Sequence, residues 1–329
     1  MSSIGVLVNP IAGFGGPRAM QGTAQLSLDH YQEAVAGARS WLRMRRALNR
    51  LTSRRVDVEL VVPLGLMGEV GLTEAGLGFR TVEQSMPDPG EPTTRADTLA
   101  AARALLAEGV DCILFAGGDG TATDLATAIG VNVPVVGVPS GVKMHSEVFA
   151  RSPESAGDLI AEFLLGNTES LVCEVVDVTP HGTESWVGTL RVPRFQRLLQ
   201  GAKSSTGTQD DDTAARAIAH YLVSAASEDT TWLIGPGETA GAIAKELGFQ
   251  ATLRGVDVMH PSRELELNVD ESRIFEIASS AQSPLLVLGV VGGQGFLLGR
   301  GNQQISDRVV DRIGVERIHI VGSERKMHE

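Results

Sequence analysis

The segment VDCILFAGGDGTATDLATAI, Val110 to Ile129, passes from an apolar run through a cluster of glycines into a helical pattern. Cys112 to Ala116 is wholly apolar and too short for a buried helix, so it reads as a parallel strand covered on both faces. Gly117, Gly118 and Gly120 then let the backbone take positive φ and let a ligand approach the main chain closely. Asp119 is the one side chain left inside the turn. Thr121, followed three residues later by Asp124, has the spacing of a capping box. The helix it would open points its first N–H groups and positive dipole end into the same crevice, which suits phosphate. A carboxylate among such donors repels a phosphate unless it has another task. It can hold a bridging metal, accept a hydroxyl proton or hydrogen-bond a hydroxyl; the bland alternative is that it caps the helix. An Asp between glycines with Thr following favours the functional reading.

Outward from this segment, strand and helix patterns alternate. Ile4 to Val8 is a first buried strand, ending at Asn9-Pro10 and the turn Gly13-Phe14-Gly15-Gly16, which matches neither the dinucleotide fingerprint nor a P-loop. Glu33 to Leu51 reads as one helix whose closing Arg43, Arg45, Arg46 and Arg50 complement its dipole at a solvated end. Asp57–Val62 and Phe79–Glu83 are strands, with a short helix at Gly68–Gly76 between them. Thr94 to Glu108 is a helix with Thr94 and Asp97 spaced as a capping box. Val133 to Val138 is a further strand, and Pro139-Ser140-Gly141 turns into an expected helix with Lys143 in its first turn. A cation is disfavoured there unless an anion lies close by; the alternative is a pair with Glu147. His145 reads either as structural or as a site residue. This alternation predicts an α/β fold with a doubly wound parallel sheet, whose ligands bind at the carboxyl ends of strands, where the Asn9 and Asp119 turns both lie.

Beyond Gly166 the texture turns toward β. Leu171–Val178 and Trp186–Val192 are strand-like around a turn at His181-Gly182, and Thr213–Ala226 is helical. Asp210-Asp211-Asp212 stands where a helix N-terminus favours acidic residues, which accounts for it better than a metal does. Trp232 to Gly235 opens a second strand, turn and helix through Gly235-Pro236-Gly237-Glu238-Thr239. Val256–Met259 and Leu285–Val291 are strands. Gly292 to Ser306 packs Gly293, Arg300, Gly301, Asn302, Gln303 and Gln304 into one turn, offering a forked guanidinium for phosphate and amides for a base or ribose, or else simply a polar turn. Val309 to Val321 is a closing helix and strand.

The net charge of −12 and the absence of a dense Lys/Arg stripe argue against a nucleic-acid partner, so any bound phosphate has to be met locally. Cys112 and Cys173 both lie in apolar β-like runs, as reduced buried thiols do, rather than in a disulfide or zinc pattern. The N-terminus lacks a basic n-region and no apolar run reaches membrane-spanning length, so a cytoplasmic protein without a membrane partner is expected.

Gly117-Gly118-Asp119-Gly120-Thr121 resembles the signature of the superfamily that joins NAD kinases, diacylglycerol and sphingosine kinases and phosphofructokinases. Val133–Ala150 (VPVVGVPSGVKMHSEVFA), Gly292–Ser306 (GGQGFLLGRGNQQIS) and Asn9-Pro10-Ile11-Ala12-Gly13 resemble its ATP-NAD kinase-like, or AcoX-like, branch, in register over nearly the whole chain. The resemblance implies an ATP-dependent kinase of the NAD 2′-hydroxyl, using Mg²⁺ or another divalent cation, small-molecule and nucleotide partners, and a homo-oligomer. A kinase of another small alcohol and a non-catalytic nucleotide-binding protein are the alternatives. The resemblance makes Asp119 catalytic and assigns nucleotide contact to Asn9, Pro10, Gly13, Gly117, Gly118, Gly120, Thr121, Gly141, Lys143, Gly235, Gly237, Gly293, Arg300, Gly301, Asn302 and Gln303. It implies an α/β nucleotide-binding domain over residues 1–165, a β-rich α+β second domain with an inserted α/β segment over 166–305, and a tail, 306–329, that returns to the first domain. Two departures stand out. Gln21-Gly22-Thr23-Ala24 replaces a Lys-Gly-Thr/Ser-Asp stretch, and Glu238 stands where the branch has a small hydroxyl residue.

Overall fold

The computed structural model describes residues 2–20, 26–84, 87, 91–141, 144, 146–178, 184–194, 209–252, 255–290, 297–299 and 302–322. The chain divides into two compact units, residues Met1–Phe14 with Gly22–Ala202, and Gly15–Gln21 with Lys203–Glu329. Among the described residues no helix is long and apolar enough to cross a membrane.

The first unit is built on five parallel strands: β1 (Ser2–Val8), β2 (Val58–Pro63), β3 (Arg80–Val82), β4 (Cys112–Gly117) and β5 (Val135–Pro139). Their order is β3-β2-β1-β4-β5, so the winding reverses between β1 and β4. Such a reversal opens a crevice at the carboxyl ends of the two strands on either side of it. The strands are apolar throughout because both faces are covered. Ile4, Val6 and Val8 with Cys112, Leu114 and Ala116 face one layer, and Leu7, Ile113 and Phe115 the other. The first layer is α2 (Arg39–Ser53) and α6 (Pro153–Leu164); the second is α4 (Arg95–Ala107) and α5 (Asp119–Ile129). The expected doubly wound α/β fold is therefore present. Asp97 accepts hydrogen bonds from both the N–H and the hydroxyl of Thr94 at 2.7 Å, so the capping box of α4 is present as well.

The expected single helix over 33–51 is two, α1 (Leu28–Gly37) and α2, broken at Ala38, whose φ of 45° is left-handed. The arginines are thereby spread along the whole of α2 rather than gathered at its end. Gly157 lets α2 and α6 touch, since a Cβ there would lie 2.4 Å from the Ala47 carbonyl oxygen. Along that contact the ion pairs recur every four residues: Arg46 with Glu154 (2.7 Å), Arg50 with Asp158 (2.9 Å), and Arg54 with Asp158 (2.8 Å) and Glu162. They lie toward solvent, where such pairs add little to stability.

Among the described residues the helix expected to follow Gly141 is absent, and the next one is α6, capped by Ser152. The intervening chain returns to β5 instead, with Gly137 N–H donating to Val148 (2.8 Å) and Ala150 N–H donating to Gly137 (2.9 Å). These bonds cover an edge strand that would otherwise be open. The hairpin β6 (Glu169–Val178) and β7 (Glu184–Arg194) belongs to this unit, and its Val175, Leu190 and Val192 join the core beneath α4 and α5. The turn at His181-Gly182 lies outside the described residues.

The second unit is sheet-rich. It comprises α7 (Gln209–Ala225), β8 (Thr230–Ile234), α8 (Glu238–Glu246), β9 (Asp257–Met259), β10 (Leu265–Glu266), α9 (Glu271–Ser280), β11 (Ser283–Gly289), α10 (Asp307–Ile313) and β12 (Ile318–Val321), whereas the short α3 (Glu69–Glu74) lies between β2 and β3 of the first unit. The sheet order is β10-β9-β8-β11-β12, parallel among β8, β11 and β12 and antiparallel at β9 and β10. Helices α7 and α8 cover one face and α9 and α10 the other. The closing strand β12, which the resemblance sends back to the first domain, pairs with β11 in this second sheet. Residues 15–20 also pack here: Pro17 O accepts from Glu271 N (2.7 Å) and Ala19 O from the Asn268 amide (2.9 Å).

Candidate active site

Three turns meet at the carboxyl edge of the first sheet, and glycine is needed at two points to bring them together. Asn9 ends β1 and locks onto the next strand. Its N–H donates to Ala116 O (2.9 Å), its Oδ1 accepts from Ile11 N (3.2 Å), and its Nδ2 donates to Thr121 Oγ1 (3.1 Å). Gly117 leaves room for that hydroxyl, since a Cβ would stand 2.4 Å from Thr121 Oγ1. Gly117 O accepts from both Ser140 N (3.0 Å) and Gly141 N (2.9 Å), which ties in the end of β5. Gly13, following Pro10 in the same turn, has a φ of 85°, and a Cβ there would fall 2.4 Å from Ser140 O. Gly120 differs: it has no positive φ, and an added Cβ would meet no atom within 4 Å.

Asp119 is the first residue of α5, after Gly118 as N-cap. Only 5% of it is exposed, and its Oδ1 accepts from Ser146 N at 3.0 Å. Ser146 is itself held through its hydroxyl to the Val176 backbone of β6 (3.3 Å). Sequence reasoning misses this donor, because a backbone N–H that arrives from a loop 27 positions away leaves no local pattern. Among the described residues no group of three or more His, Cys, Asp or Glu could hold a metal ion unaided. A divalent cation here would rely on Asp119 with oxygens from a phosphate chain, a donor set that suits Mg²⁺.

The capping box expected of Thr121 and Asp124 does not form. Thr121 is inside α5 bonded to Asn9, and Asp124 pairs with Arg95 of α4 at 2.8 Å. Burial pushes the Asp124 carboxyl up to about 6 despite Arg95. A carboxyl whose folded pKa is raised binds its proton more tightly folded than unfolded. The stability this confers is complete below about pH 4, the unfolded value, and is lost as pH rises through about 6. Asp124→Asn should therefore gain on the native protein by on the order of 1–3 kcal/mol across that interval and no further above it, as measured by urea denaturation at a series of pH values. An unchanged difference from pH 4 to 7 would refute the assignment.

Neither cysteine has the setting of a nucleophile. Burial pushes up both the Cys112 thiol and the half-buried Cys173 thiol, the latter with help from Glu147.

In the second unit, Gly235 donates its N–H to Val287 O (2.9 Å), and a Cβ on it would stand 3.0 Å from that oxygen. Gly237, at φ 117°, is the N-cap of α8, which begins at Glu238. Both glycines thus have packing or conformational reasons of their own. Asn302 is buried and closes its turn, accepting from Gly299 N (2.9 Å) and donating to Leu297 O (2.8 Å). Gln303 lies against Gly16, where a Cβ would collide with its Oε1 at 1.6 Å. Gln21, Ala24, Lys143, His145, Gly293, Arg300 and Gly301 lie outside the described residues, as do the side chains of Asp210, Asp211 and Asp212.

Residues 4–168, half of the chain, match the model of the ATP-NAD kinase N-terminal domain. A comparison with curated proteins gives no match. The matched span takes in β1 with its Asn9 turn, the glycine-flanked Asp119 and the whole parallel sheet, and the chain belongs to the ATP-NAD kinase family.

Proposed function

We propose that this protein is an ATP-dependent kinase of the AcoX-like branch that phosphorylates the 2′-hydroxyl of NAD, with Asp119 orienting or deprotonating that alcohol. Family membership supports a kinase-type phosphotransferase that handles ATP and NAD. The observation that carries the reading is the position of Asp119: a buried carboxylate at the winding reversal, at the N-terminus of α5, held by Ser146 N–H. Phosphoryl transfer asks little covalent chemistry of a protein and much positioning and charge stabilisation. The first N–H groups of α5 and its dipole favour phosphate oxygens. Gly120 leaves the turn unobstructed, since neither packing nor φ requires glycine there. Asn9 braces the turn from β1, and Gly13 and Gly141 hold the third side. A divalent cation bound to the phosphates with Asp119 would neutralise their charge.

The changes at Gln21, Ala24 and Glu238 favour a second reading, in which the acceptor is another small alcohol or the cleft binds nucleotide without turnover. Incubation with ATP, Mg²⁺ and NAD, followed by mass spectrometry, is expected to yield NADP. Polyphosphate as donor and a panel of alcohols as acceptors run in parallel. Product from another alcohol with none from NAD would move the substrate; ATP binding with no product from any acceptor would overturn the kinase reading.

A further inference from the structure

Helix α2 carries three arginines that the ion pairs with α6 do not use, Arg39, Arg43 and Arg45. Arg39 and Arg43 stand one turn apart and so share a face of the helix. That face meets the carboxyl edge of the sheet. The Cβ of Arg39 lies 4.0 Å from where a Cβ on Gly13 would stand, and Arg43 Nη1 donates to Pro139 O at 2.5 Å. Pro139 is the last residue of β5 and pairs in register with Gly117, so the guanidinium sits one strand away from the Asp119 turn.

Among the described residues no carboxylate forms an ion pair with Arg39 or Arg43, whereas neighbouring Arg46 has Glu154. Burial holds the Arg43 guanidinium below its usual range, and repulsion from Arg46 and Arg39 adds to this. A desolvated cation crowded by other cations is unfavourable until an anion joins it. Two further features point the same way. Ser40, three residues before Arg43, is fully buried, and its Oγ has no hydrogen-bond partner. The left-handed Ala38 that precedes α2 supplies no side-chain cap, so the positive end of the helix dipole opens at the same place.

We propose that Arg39, Ser40 and Arg43 form an anion subsite for the outer phosphates of a polyphosphate chain, at the carboxyl ends of β1 and β5. Forked guanidinium donors suit tetrahedral phosphate oxygens better than lysine does. The kinase reading says whose phosphates these are; the subsite itself rests on the arginines.

Inorganic tripolyphosphate is the probe, with binding measured by titration calorimetry on the full chain. The native protein is expected to bind it, and Arg39→Ala to weaken binding about tenfold or more, the effect of losing a hydrogen bond to a charged group. Arg39 is exposed, so this variant keeps its fold, as a thermal melt would verify. Arg39→Lys should recover part of the loss, and Arg43→Lys should weaken binding as well. Arg45→Ala, an exposed arginine on the far side of the same helix, is expected to leave binding unchanged. No binding by the native protein, or equal losses in Arg39→Ala and Arg45→Ala, would overturn the proposal. Tripolyphosphate binding without any kinase product would sink the proposed function and leave the subsite standing. NADP formation with tripolyphosphate affinity unaltered in Arg39→Ala would do the reverse.

Discussion

Asp119→Asn is expected to lower turnover by about 10²- to 10⁴-fold, the range for losing a positioned general base. Its melting temperature should hardly move, because an amide oxygen can accept the Ser146 N–H bond that Oδ1 now accepts at 3.0 Å. Asp119→Ala separates the two roles. It removes the acceptor as well as the charge and leaves a buried N–H unsatisfied, costing about 1–3 kcal/mol. Product formation and thermal denaturation on the same preparations decide the matter. An Asn variant that keeps its full rate would mean that this carboxylate only anchors the loop at Ser146.

Gly13→Ala should destabilise the protein by about 2–4 kcal/mol, from left-handed backbone that disfavours a Cβ together with a collision in a packed turn. The collision partner is the Ser140 carbonyl oxygen, 2.4 Å from the new atom, and it is backbone that cannot rotate away. Gly76→Ala is the matched control. Its φ is 66°, but a Cβ there meets no atom within 4 Å, so it should show the conformational cost of about 1 kcal/mol alone. Urea midpoints of the two variants give the difference. If they coincide, Ser140 yields without strain and Gly13 is not what holds the β1 and β5 turns together.

What could be read from the residues was mostly what is local or periodic. The β4 strand and its glycine turn were legible because an apolar run that stops at glycines has few other meanings, and the Thr94 and Asp97 box because its partners are three residues apart. Features set by distant partners were not. Thr121 and Asp124 have capping spacing, yet Asn9 and Arg95 claim them. The chain after Gly141 looks ready for a helix, yet among the described residues none stands before α6, and the bonds that join Val148 and Ala150 to β5 give the reason. The break at Ala38 has the largest consequence. Alanine in a left-handed conformation carries no compositional signal, as Gly or Asn would, so the residues alone put Arg43 near a helix end instead of beside Pro139.

The short stretch from Gly15 to Gln21 belongs with the second unit although the chain on both sides of it belongs with the first. The two halves therefore cannot be parted by a single scission of the gene. A fragment ending at Ala202 would carry a strip of peptide whose partners are missing, and its complement would lack the carbonyls of Pro17 and Ala19 that receive Glu271 and Asn268. Neither piece keeps every hydrogen bond that its main chain makes in the intact protein.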